Sequence, residues 1–123
     1  MPTLVLVMLG GALGAGARYL LSQAALTAAG PGFPWGTLSA NVIGGFLMGL
    51  LIGSPFAASQ PATAFLAFGV LGGFTTFSSF SIETIRLIES GAVGPALGYV
   101  AASLVGAIGA CAGGLFLARS VSA

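Results

Sequence analysis

Gly72-Gly73-Phe74-Thr75-Thr76-Phe77-Ser78-Ser79-Phe80-Ser81 lies in the middle of the third of four apolar segments, and its reading decides the fold. That segment runs from about Ala62 to Ile88. As one unbroken helix it would be roughly 40 Å long, more than the ~30 Å of a hydrocarbon core requires. Something must tilt, bend or break it. Paired glycines tolerate unusual dihedrals, and the five hydroxyls between Thr75 and Ser81 can re-satisfy freed backbone groups. The stretch therefore predicts a third helix broken mid-span. Irregular backbone at that depth lines a site.

Composition sets the class. Of 123 residues, 57% are hydrophobic and 4% charged, and the mean hydropathy is +1.10, the signature of an integral membrane protein. Three arginines and two glutamates leave a net charge of +1, with no Lys, Asp or His. No basic surface exists for nucleic acid, and ordinary acid–base enzymology has no inventory, so the chain is not expected to be an enzyme. Cys111 is alone in an apolar run, where it reads as a small buried hydrophobe.

In chain order, Leu4 to Leu26 forms helix one, apolar apart from Arg18, Ser22 and Gln23. Ala15-Gly16-Ala17 resembles a signal-peptide cleavage site. However, no Lys or Arg precedes the run and the apolar pattern resumes after Arg18, so a retained span is expected. Gly30-Pro31-Gly32-Phe33-Pro34-Trp35 is a turn by composition, and Trp35 is placed as an interfacial aromatic anchor. Helix two runs from about Gly36 to Gly53, with Thr37 and Asn41 at i, i+4 on one face. After the third segment, Glu89 to Pro95 is a loop, and helix four runs from about Ala96 to Ala118, ended by Arg119. All six prolines are expected outside the spans, and residues 1–123 are read as a single four-helix domain. Gly10-xxx-Gly14, Gly45-xxx-Gly49-xxx-Gly53 and Gly98-xxx-Ala102-xxx-Gly106 are small-xxx-small series of the kind that lets helices approach in lipid. Four thin helices enclose little, so oligomerisation is expected, a homodimer being the smallest solution. The loops carry almost no Lys or Arg, so positive-inside bias is weak and insertion in both orientations is expected.

The run GGFTTFSSFS, the Gly-x-x-x-Arg-Tyr of Gly14 to Tyr19, Asn41 in Asn-x-x-Gly-x-Phe, and the four-span length together resemble the Fluc (CrcB) family of fluoride channels. The likeness covers essentially the whole chain. It implies an all-α membrane protein of four transmembrane helices, assembled as an antiparallel dual-topology homodimer in the plasma (cell inner) membrane. It also implies two pores, each lined by both subunits, and a structural sodium ion (Na+) on the dimer axis, held by backbone carbonyls of Gly72 and Thr75. Passive fluoride export, protecting the cell from fluoride toxicity, is the activity implied.

The residues support part of this by themselves. Fluoride is a small anion whose hydration is hard to replace, so its path should offer donors and positive edges. On a helix after the break, Phe77, Phe80, Ser81 and Thr84 share one face, and the edges of aromatic rings are the positive part of their quadrupole. By motif, Phe77 and Phe80 are the fluoride-coordinating pair, one from each subunit per pore. Phe46, Phe65, Phe68 and Phe116 read as core or lipid-facing. Asn41 is either a donor to the path or an interhelical structural bond, and the family likeness favours the donor. Thr37, Tyr99 and Ser103 resemble the accompanying polar track, whereas Ala107 lacks a hydroxyl at the next turn. Glu83 fits the acidic position near a pore end, the alternatives being a pair with Arg86 or a bond shared with Thr84. Arg18 reads as an anion-attracting vestibule residue, against snorkelling or a salt bridge to Glu89 or Glu83. Two other functions fit the length. A four-helix dual-topology multidrug exporter needs a membrane-embedded carboxylate where helix one has Arg18. A non-transporting membrane subunit leaves the hydroxyl and phenylalanine cluster unexplained.

Overall fold

A computed structural model describes residues 2–122. Every regular element among them is helical. Helix α1 spans Thr3–Ala29 and α2 spans Trp35–Ile52, followed by a 3-10 turn at Pro55–Ala58. The third segment is composite: α3 (Gln60–Thr63), a π-helical stretch Ala64–Leu71, α4 (Gly72–Phe74) and, after a break, α5 (Phe77–Glu89). Helix α6, Val93–Ser122, completes the chain. Four spans are long and apolar enough to cross a bilayer: α1, α2, Gln60–Glu89 and α6.

The third span and α6 start earlier than the apolar runs suggest, because helix entry tolerates proline. Pro61 and Pro95 lie inside the first turns of α3 and α6, a correction to the expectation that all prolines lie outside. A first-turn N–H has no intrahelical partner, so proline loses nothing there.

Glycine sets how the helices meet. A Cβ on Gly10 would lie 2.8 Å from the Val70 nitrogen, and one on Gly73 would lie 2.6 Å from the Gly11 carbonyl oxygen, so α1 and the π-α4 stretch touch backbone to backbone. Gly45 and Gly53 do the same for α2 against α6, where a Cβ would meet the Ala107 oxygen at 2.6 Å and the Leu115 oxygen at 2.9 Å. The third series behaves differently: a Cβ on Gly98 would meet nothing within 4 Å. Two small buried clusters join the rest, Leu51 with Ala67 and Leu71, and Phe80 with Leu87, Ala96 and Tyr99.

The break falls at Thr75 and Thr76, not at the glycines. Gly72 is helical (φ −62°, ψ −39°), whereas Thr75 (φ −87°, ψ 158°) and Thr76 (φ −153°, ψ 124°) are extended. Gly73 is needed for close approach to α1, whereas a Cβ on Gly72 would meet only the Ala67 carbonyl oxygen of its own span, at 3.4 Å. Threonine, β-branched, is at home in extended backbone.

Candidate functional site

Breaking a helix inside a bilayer exposes carbonyls on one side and N–H groups on the other, all of which need partners. Side chains from three elements supply them. Thr76 caps α5, its hydroxyl accepting from the Ser79 N–H at 3.2 Å. Asn41 on α2 pairs with the Thr76 peptide on both sides: Nδ2 donates to the Thr76 carbonyl at 3.0 Å and Oδ1 accepts from the Thr76 N–H at 2.8 Å. The Arg18 Nε on α1 donates to the Gly73 carbonyl at 3.3 Å, which sets a cation at the carbonyl end of α4. The Thr75 hydroxyl donates to the Leu71 carbonyl at 3.0 Å. Neither the Gly72 nor the Thr75 carbonyl is taken by a side-chain donor among the described residues.

Asn41 thus makes the structural bond considered from sequence, and still has a second Nδ2 hydrogen to offer. Arg18 is tied to a backbone carbonyl, a partner not among those considered from sequence, which were the vestibule, the interface by snorkelling, and the carboxylates of Glu83 and Glu89.

Helix α5 is amphipathic and carries the aromatic face. Phe77 is 73% exposed in the single chain and Phe80 only 8%, with ring centroids 5.5 Å apart. The Phe80 ring continues to Tyr99 of α6 at 5.2 Å, and Tyr99 donates its hydroxyl to Glu83 Oε1 at 3.2 Å. Glu83 therefore bonds Tyr99, while the Thr84 hydroxyl turns back to the Phe80 carbonyl at 2.8 Å. Ser81 likewise donates to the Phe77 carbonyl at 2.9 Å.

Two cavities flank this aromatic wall. One, about 350 Å³, lies along the break and is lined by Asn41, Thr75, Thr76, Phe77, Phe80 and Ser103 among others. The other, about 530 Å³, opens at the turn between α1 and α2 and includes Ser22, Phe33, Thr37, Glu83 and Arg86. Thr37 and Asn41, one turn apart on α2, belong to successive cavities, so the shared face expected from their spacing runs from one cavity into the next. Ser103 is the unfinished part of the wall: only 6% exposed, its hydroxyl has no hydrogen-bond partner among the described residues. A buried hydroxyl without a partner costs free energy, which is tolerated where a ligand completes it.

A soft-ligand metal site is absent among the described residues, where no group of three or more His, Cys, Asp or Glu gathers. The oxygens at the break are hard carbonyls, a donor set suited to a hard cation rather than to zinc or iron. Chemically the site offers amide and hydroxyl donors, ring edges and a helix N-terminus to an anion. It offers carbonyls to a cation.

The sequence profile described as "CrcB-like protein, Camphor Resistance (CrcB)" matches residues 5–115. The chain is 51% identical to the fluoride-specific ion channel FluC of Sphingopyxis alaskensis over 126 residues, covering 100% of both. It is 53% identical over 121 residues to the protein of that name from Chelativorans sp., covering 96% of this chain and 97% of the relative. The FluC of Mesorhizobium japonicum is 48% identical over 120 residues. With four spans, a helix broken beside paired aromatics, and matches running almost end to end, this multi-pass membrane chain belongs to the CrcB family.

Proposed function

We propose that this chain is a passive, fluoride-selective ion channel of the bacterial plasma membrane, working as an antiparallel homodimer inserted in both orientations. The observation that carries the reading is the groove at the break, where Phe77, Phe80, Asn41 and the unpartnered Ser103 hydroxyl converge. Ring edges and donors there replace hydration for an anion that would otherwise hold its water. Phe77 is largely exposed in one chain, as suits a ring covered by a second copy, with Phe77 and Phe80 of different subunits facing one pore. Thr37, Tyr99 and Ser103 accompany the rings, Ser81 and Glu83 flank them on α5, and Arg18 adds positive charge at the level of the break.

The Gly72 and Thr75 carbonyls fit a sodium ion on the two-fold axis, and such an ion would supply fixed positive charge that offsets the cost of holding anions at low dielectric. It need not move. Fluoride enters acid-exposed cells as its neutral weak acid and is trapped inside as the anion. The membrane potential, worth about 2.3 kcal/mol per charge at 100 mV, then drives it outward without a coupled ion. A proton-coupled multidrug exporter would need a carboxylate in α1, where Arg18 is the charged residue.

The test is fluoride efflux from liposomes containing only this protein. Phe77→Ile and Phe80→Ile delete the quadrupole at broadly similar bulk, so flux should collapse while cross-linking still shows the dimer. Normal flux in both variants would sink the ring-edge mechanism, and dependence on a proton gradient would sink the channel reading.

A further inference from the structure

The aromatic run does not stop at Tyr99. Phe33, in the turn between α1 and α2, meets the Tyr99 ring edge-to-face, centroids 5.4 Å apart and planes at 83°. On its other side is Trp35, 4.7 Å away and tilted by 48°. Five rings, Phe77, Phe80, Tyr99, Phe33 and Trp35, therefore run in series from the break to the turn between α1 and α2. A turn of this composition needs its glycines and prolines, not an aromatic at its centre. Gly30 has φ +77°, and Pro31 and Pro34 fix φ on either side of Phe33, so the ring is set on a stiffened support.

We propose that Phe33 is a positioning residue for conduction: it holds the Tyr99 ring so that the Tyr99 hydroxyl stays on Glu83 in the wall of the 530 Å³ cavity. The proposal rests on the channel reading above. Tyr99 is fully buried, with Phe80 on one side and Phe33 on the other, and Phe33 and Glu83 both line the 530 Å³ cavity. With Phe33 shortened, the Tyr99 ring gains room toward that cavity and its hydroxyl can leave the carboxylate. Glu83 then faces the mouth with its charge unshared, which repels an incoming anion. Phe33 acts through Tyr99 and Glu83.

The experiment measures fluoride efflux from liposomes for Phe33→Leu, Phe33→Met and Phe33→Tyr, alone and in a Tyr99→Phe background, with dimer assembly followed by size exclusion. Phe33→Leu should lower flux roughly three- to tenfold, the scale of one aromatic pair, and Phe33→Tyr should restore it. In the Tyr99→Phe background there is no hydroxyl to position, so Phe33→Leu should add less than about a twofold loss. Losses that multiply independently would overturn the proposal, as would wild-type flux in Phe33→Leu. Loss of the dimer in both Phe33→Leu and Phe33→Met would make the residue merely structural and overturn it too. A wild-type protein that passes no fluoride would instead overturn the channel reading.

Discussion

The two halves of the third span are held in opposite ways. Before the break, the stretch from Ala64 to Phe74 lies backbone to backbone on α1, through Gly69 and Gly73 on one side and Gly10 and Gly14 on the other. After it, Phe77–Glu89 contains no glycine and rests on α6 through side chains, chiefly Phe80 and Leu87 against Ala96 and Tyr99. Backbone contact leaves no rotamer to adjust, whereas ring contact does. The fixed half carries the carbonyls suited to a cation. The half that can adjust carries the rings suited to an anion in transit.

The hardest blow to this contrast should come at Gly14. A Cβ there would lie 2.8 Å from the Phe74 nitrogen and closer still to the Val70 carbonyl, and neither backbone can step aside. Gly14→Val should cost about 3 kcal/mol or more, near the upper end for overpacking, and yield no monodisperse dimer on size exclusion. Recovery of a dimer with wild-type thermal stability would mean that α1 and the first half are not locked together.

Asn41→Leu comes next, since it removes both partners of the Thr76 peptide. At about 1–3 kcal/mol for each buried unpaired group, it should lower the thermal midpoint and abolish fluoride flux. Asn41→Asp keeps the acceptor for the Thr76 N–H but sets a carboxylate against the Thr76 carbonyl, so its flux should be lost as well. Efflux at the wild-type rate from either variant would show that the break holds its shape without this amide.

Ser103→Ala should produce the smallest change, and the one that separates stability from conduction. Its hydroxyl is buried without a partner, so removing it should leave stability unchanged or raise it by up to about 1 kcal/mol. Flux should fall a few-fold, because the groove loses a donor. Thermal midpoint and efflux measured on one preparation should therefore move in different directions, and a parallel fall in both would assign Ser103 to packing alone.

Hydropathy was enough to place four spans, and the length of the third was enough to demand a break. What the sequence could not place was the break itself. Glycine lacks a Cβ, and that absence serves unusual dihedrals and close helix approach equally well. Only the packing of Gly73 on Gly11 shows which is in use, and Thr75 and Thr76 take the extended geometry instead. That the Phe77 and Phe80 rings lie side by side was legible from their helical spacing, whereas their reading as a fluoride-coordinating pair comes from the family likeness of the motif. The contact of Phe33 with Tyr99 was not legible, because nothing in a glycine- and proline-rich turn marks its ring as a packing partner until α6 is seen beside it. From sequence Arg18 reads as a vestibule residue, with snorkelling or a carboxylate partner as the alternatives, yet its partner is a peptide carbonyl, which every residue possesses and no sequence pattern marks.

The ties that shape the break also set an order of assembly. Arg18 reaches Gly73 across 55 positions of chain and Asn41 reaches Thr76 across 35, and in both pairs the side chain is synthesised before the backbone it serves. When the ribosome delivers the third span to the membrane, α1 and α2 are already made, with the guanidinium and the amide available to receive the peptide groups that a broken helix leaves open. A lone third span would have to enter lipid with those groups bare, so its insertion is best understood as docking onto an existing template. The same segment moved to the start of the chain would meet the bilayer with no partner and would favour an unbroken helix.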